Sequence, residues 1–208
     1  MTLTSSDTLR NHWWWRPGWS VGRRFYTWHL TWEGQDDVHR LAAEYRDALA
    51  PFVGELTLIP DQWLHLTMQG IGFVGEVAEK DVRAIADAAS GRLAAVPAFD
   101  VQVGPHVLDP EAVLLTVHPA GSVAEVRDAI RGAIGDVLHD VPENATGFRP
   151  HVSVAYSASD GPAAPVAEAL AAREFTPAHA RVTHAELIVI HRDNEMYKWE
   201  TFATVPLG

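Results

Sequence analysis

The chain contains no cysteine. Disulfide frameworks, thiolate nucleophiles and cysteine-ligated zinc are therefore excluded. Positive charge is scarce as well: 16 Lys and Arg stand against 27 Asp and Glu, a formal net charge of −11 with neutral histidines. A groove that follows the backbone of long nucleic acid needs clustered Lys and Arg, so duplex DNA is not an expected partner. The same balance leaves room for a small anionic ligand, or for one RNA end held at a local site. Long apolar runs are missing too. No stretch approaches the ~18 consecutive apolar residues of a membrane span, and the opening MTLTSSDTLRNHWWWRPGW holds no apolar segment of signal-peptide length. A cytoplasmic protein with no membrane partner is the expectation.

What is present is enough for a proper core. The chain has 208 residues, 47% of them hydrophobic. After a Trp-rich leader over residues 1–22 (Trp13, Trp14, Trp15, Trp19), residues 24–32 read as an aromatic strand. Residues 36–50 read as a helix, with Val38, Leu41, Tyr45 and Leu49 on one face and Pro51 beyond its end. GELTLIP and WLHLTMQGIGFV follow as strands. A helix over 78–95 carries Val82, Ile85, Ala89 and Leu93. Strands FDVQVG and AVLLTVH, a helix near 122–138, the strand PHVSVAY, a short helix at 165–172 and strands AELIVIH and YKWETFATV complete the chain. Frequent hairpin-like strand pairs argue for an α+β fold with antiparallel sheets over a doubly wound parallel sheet. Residues 23–208 are expected to form one domain, and no internal linker divides it.

Three tripeptides carry the chemical signal: His29-Leu30-Thr31, His65-Leu66-Thr67 and His151-Val152-Ser153. In a strand, alternate side chains share a face. His65 and Thr67 therefore point together, opposed by Leu64, Leu66 and Met68. His151 and Ser153 likewise share a face, opposed by Val152 and Val154. Such a strand backs onto the core and presents an imidazole beside a hydroxyl. The hydroxyl can donate to a phosphoryl oxygen while the imidazole moves a proton at the same phosphorus. Composition alone yields about one such tripeptide by chance, and His29 shows the same alternation. Spacing does not separate the three.

The flanking residues do. WLHLTMQGIGFVGEV and FRPHVSVAY resemble the two signature strands of the two-histidine (2H) phosphoesterase superfamily, in particular its 2′-5′ RNA ligase-like and cyclic phosphodiesterase branches. Trp63, His65, Thr67, Phe73, Gly75 and Glu76 match the first strand and its turn, although QGIG makes the link to that turn longer than usual. Phe148, Pro150, His151 and Ser153 match the second, with Ser in place of the commoner Thr. The end of the chain, LIVIHRDNEMYKWETFATVPLG, resembles the family's closing hairpin, with an Arg between the strands and a Tyr opening the last. The resemblance spans roughly residues 23–208. It implies a bilobal α+β fold, with two antiparallel-rich sheets and flanking helices around a central cleft. It also implies a metal-independent phosphoesterase without cofactor, acting as a monomer on a small nucleotide or RNA end that carries a 2′,3′-cyclic phosphate or a 2′-5′ linkage. The expected reaction opens the cyclic phosphate to a 2′-phosphomonoester; run backwards, the same geometry would perform 2′-5′ RNA ligation. A non-catalytic nucleotide- or RNA-end-binding protein using the same cleft is the alternative.

On this resemblance His65, Thr67, His151 and Ser153 are the expected catalytic residues. His29 falls in the family's first strand, where no catalytic histidine is expected; it either lines the cleft as a substrate contact or packs. Tyr156 either stacks on a base or sits in the core beside Val152 and Val154. Arg149 either neutralises phosphate or is an exposed strand-edge arginine. The Trp-rich leader either covers the cleft, offers a stacking platform, or packs on the surface. His106, His118, His139, His184 and His191 fall in loops or at element ends and read as surface or capping residues. No metal-binding motif is present, so no metal site is expected.

Overall fold

The structure, a computed structural model, describes residues 5–208. Its strands are β1 (Thr8–Leu9), β2 (Phe25–Thr31), β3 (Leu56–Leu58), β4 (His65–Phe73), β5 (Phe99–Asp109), β6 (Ala112–His118), β7 (His151–Ser157), β8 (Gly161–Pro162), β9 (Ala178–Val182), β10 (His184–His191) and β11 (Lys198–Pro206). Its helices are α1 (Asp36–Leu49), α2 (Glu79–Leu93), α3 (Ala120–Leu138) and α4 (Ala164–Ala171). Two antiparallel sheets organise the molecule. One has the order β11-β10-β2-β4 and the other β3-β7-β6-β5-β9, while β1 and β8 form a small separate ribbon. The fold is α+β, with helices flanking both sheets.

Each helix forms because its apolar residues recur at helical spacing and find a sheet to cover. In α1, Val38, Leu41, Ala42, Tyr45, Ala48 and Leu49 are buried, with Asp36 and Asp37 in the positively polarised first turn. The helix ends where Pro51 opens a short 3₁₀ turn. It packs with α4 on the β3/β7/β9 side. In α2, Val82, Ile85, Ala89 and Leu93 are buried; α2 packs on α3 and β11, and α3 on β4. The expected helices are present with ends displaced by one or two residues. The strand β9 was not expected, because AHARV alternates only small alanines with polar residues and carries little β signal.

Strand β2 shows why the cleft lies between the sheets. Tyr26, Trp28 and Leu30 are buried in the core on one face. Thr27 and His29 are buried on the other, which looks across to the second sheet. Strands β4 and β7 approach each other there.

Candidate active site

His65 and His151 stand at equivalent places in their sheets. Each is the first residue of its strand, β4 or β7. Each ring is anchored to the carbonyl two residues back: His65 Nδ1 donates to Trp63 O at 2.9 Å, and His151 Nδ1 donates to Arg149 O at 2.8 Å. A carbonyl only accepts, so the Nδ1 proton is fixed on both rings. In the neutral imidazole the remaining lone pair is then on Nε2. Behind them Leu64, Leu66, Met68, Val152 and Val154 are at most 2% exposed. The strand backs are core and their fronts carry the polar groups.

Both histidines line one cleft of about 460 Å³, together with Thr67 and Ser153. Thr67 is exposed to it and Ser153 is buried at its wall. Burial pulls the His65 pKa down from 6.5 to about 4; the bond to Trp63 O opposes this, and the charge of His151 adds to it. His151 is also lowered by burial, with partial opposition from its bond to Arg149 O and from Asp109. Both rings are therefore neutral at pH 7 in the free protein.

The remaining expected residues also reach this cleft. His29 lines it, but its ring is only 1% exposed and lies flat against His65, centroids 4.5 Å apart and planes 5° from parallel. Arg149 is exposed, lines the cleft and forms no ion pair among the described residues. Tyr156 lines it too, on the same side as Ser153 rather than with Val152 and Val154. The cause is a bulge. Opposite β6, Leu114 pairs with Ser153 and Val113 with Ala155, so Val154 is the extra residue. Every later side chain changes face, and Tyr156, paired with Ala112, turns into the cleft. One face of the Tyr156 ring is covered by His12, stacked at 4.2 Å.

His12 belongs to the leader, which forms part of the cleft wall through His12, Arg16 and Trp19. The leader is laid along the second sheet by main-chain bonds from Arg10 N to Pro110 O and from His12 N to Ser157 O. Gly18 makes its turn at φ 83°, where a Cβ would also lie 2.5 Å from the Phe73 ring. His12 Nδ1 donates to Glu111 Oε2 at 3.1 Å, so its Nε2 accepts from the Tyr197 hydroxyl at 3.0 Å. Arg16 reaches the same Glu111 oxygen at 2.6 Å. Burial, with Arg16 and Arg192 nearby, lowers the His12 pKa to about 3 and keeps it neutral. Sequence reasoning marked the leader only by its tryptophans and missed His12, Arg16, Glu111 and Asp109. A lone polar residue in a loop carries no periodic signal. Tyr197, visible as the residue opening the last strand, also lines the cleft.

No group of three or more metal-ligating side chains occurs among the described residues, and no helix among them is long and apolar enough to cross a membrane.

One His-x-hydroxyl strand from each of two antiparallel sheets, facing a shared cleft, is the arrangement of a two-histidine phosphoesterase. The family model of the 2′-5′ RNA ligase superfamily matches residues 33–194, and the chain belongs to that superfamily. His12, Arg16 and Trp19 precede the matched region. Among solved structures, TT0787 of Thermus thermophilus is similar with a TM-score of 0.65 and 17% identity, over 89% of this chain and 97% of that one. LigT of E. coli in its apo form gives 0.64 and 13%, over 89% and 98%. LigT complexed with 3′-AMP gives 0.62 and 14%, over 89% and 98%. At these identities the likeness establishes the fold. No curated protein matches the sequence.

Proposed function

We propose that the protein hydrolyses a 2′,3′-cyclic phosphate, on a nucleotide or at an RNA end, to a 2′-phosphomonoester. The observation that carries this reading is the pair of rings with fixed Nδ1 protons, one from each sheet, in a single cleft. One neutral ring takes a proton from water at Nε2. The water oxygen bonds to phosphorus as the P–O3′ bond breaks, and the second ring, protonated, delivers its Nε2 proton to O3′. The ribose keeps its phosphate on O2′ and gains a free 3′-hydroxyl. The base has gained one proton and the acid has lost one.

His65, deep against His29 and strongly depressed in pKa, suits the base. His151 is less buried and has Asp109 raising its pKa, which suits the acid. Thr67 and Ser153 would hold the non-bridging oxygens as charge builds on them. Arg149 offers the charge that meets the phosphate. That LigT, a structure of the same fold, is complexed with 3′-AMP supports a nucleotide as the occupant. With a 5′-hydroxyl in place of water, the same step would form a 2′-5′ linkage as P–O3′ breaks; in reverse, O3′ would attack the phosphorus of a 2′-5′ linkage and expel the 5′-hydroxyl.

The test is a panel of 2′,3′-cyclic mononucleotides, cyclic-phosphate-ended oligonucleotides and 2′-5′ dinucleotides, incubated with EDTA and resolved by product. The expected product is the 2′-phosphate alone, with turnover intact in EDTA. A 3′-phosphate product, or strict dependence on an added divalent ion, would refute the mechanism. Binding without turnover would make the protein a nucleotide-binding one that uses the same cleft.

A further inference from the structure

His29 has a hydrogen-bonding pattern opposite to that of His65 and His151. His29 is paired across β2 and β4 with Thr67, and its Nε2 lies 3.4 Å from Thr67 Oγ1. Its Nδ1 is buried and has no partner. Burial lowers its pKa well below 6.5, with the neighbouring His65 charge acting in the same direction, so the ring is neutral with one proton to place. On Nδ1 that proton would be a buried N–H with nothing to accept it, the arrangement folded proteins tolerate least. On Nε2 it meets the Thr67 oxygen.

We propose that His29 is a positioning residue, which holds the Nε2–H tautomer, donates to Thr67 Oγ1 and thereby leaves the Thr67 hydroxyl proton free for an oxygen in the cleft. The alternative tautomer would turn the bond around. Thr67 would then donate to His29 and present only lone pairs to an anionic phosphate, which repel it. A hydroxyl has a single proton, so its use is decided by what sits behind it. The flat stack on His65 fixes the plane of the His29 ring, and Trp199 closes its edge, centroids 5.9 Å apart. The ring has little room to turn away from Thr67. This inference rests on the phosphoesterase reading for its kinetic consequence, but its structural content can be read without turnover.

Two measurements test it. Ring ¹⁵N chemical shifts of the labelled wild-type protein at neutral pH distinguish the tautomers directly. His29 is expected as Nε2–H, while His65 and His151 are expected as Nδ1–H. An Nδ1–H or a charged His29 overturns the proposal. Kinetically, His29→Phe keeps a ring in the stack but has no donor. It is expected to lower kcat by ~10-fold or more, up to the ~10²-fold cost of losing the Thr67 donor, with KM little changed. His29→Gln places an amide N–H near the Nε2 position and should recover most of the loss, whereas His29→Asn should not. In a Thr67→Val background His29→Phe should add almost nothing. Independent, multiplying losses, or an effect on KM alone, would overturn the role. Should His29→Phe misfold, the tautomer measurement still decides. Should His65→Ala and His151→Ala leave turnover intact, the phosphoesterase mechanism fails while the tautomer result stands by itself.

Discussion

Each of the two paired histidines is buried enough to lose its charge, yet the acid–base chemistry proposed for them needs one of them protonated. This tension sets the pH dependence. Above pH 6.5 both rings are neutral in the free protein and the acid is missing. Below about 4, the pKa of His65, that ring is charged and the base is missing. The singly protonated form is most populated between these limits, so kcat/KM should trace a bell centred below pH 6.5. Bound anionic phosphate stabilises the charged ring, so the alkaline limb of kcat should lie at higher pH than that of kcat/KM. Initial rates from pH 4 to 9 measure both; a kcat/KM optimum above pH 7 would show that burial does not control these rings. That His65 shares a face with Thr67, and His151 with Ser153, was legible because each pair lies within three residues of one strand, where alternation holds; only the flanking residues set these pairs apart from His29 and Thr31. Tyr156 was not decidable, because Val154 intervenes and an extra residue reverses every face after it.

The two signature strands share this irregularity. On β4, His29 pairs with Thr67 and Trp28 with Gln69, which leaves Met68 as the extra residue directly after the hydroxyl. On β7, Val154 has the same place after Ser153. Without its bulge β4 would aim Gln69 into the cleft beside Thr67. With it, Gln69 turns to the back, where it is fully buried and meets Arg127 of α3. Arg127 donates to Met68 O at 2.8 Å, Ala145 O at 2.9 Å, Asn144 O at 2.9 Å and Gln69 Oε1 at 3.1 Å. One guanidinium thus ties the bulge of β4 to the segment that leads into Arg149 and His151. Gly70 helps, since a Cβ there would lie 2.6 Å from Glu143 Oε1 of the same segment. Arg127→Met strips a donor from four acceptors at once, two of them, Met68 O and Gln69 Oε1, in buried bonds. It should destabilise the fold by ~3 kcal/mol, read as a lower urea midpoint at unchanged slope, and should slow turnover. A variant of wild-type stability and rate would show that these bonds do not hold the site. None of this was visible in sequence, where Arg127 reads as one more charged residue on a helix.

At the scale of the molecule, the sequence order of strands and helices conveyed the α+β class and the antiparallel sheets, because most elements carry a strong period. It did not convey that the leader is built into the cleft wall, since His12 and Arg16 act through partners about a hundred residues or more away, Glu111 and Tyr197. The signature strands are also far apart in sequence: one sheet brings His65, the other His151, and only the packing of the two sheets places both on one cleft. Acid and base from different sheets should then behave as one unit. The most direct measurement is the single-turnover rate on a 2′,3′-cyclic nucleotide for wild type, His65→Ala, His151→Ala and the double variant, with folding checked by circular dichroism. Each single change should lower the rate by ~10²–10⁴-fold, and the double variant should fall little below the slower single one. If either single variant turns over at the wild-type rate, or if the two losses multiply in full, the histidines do not act together across one phosphate.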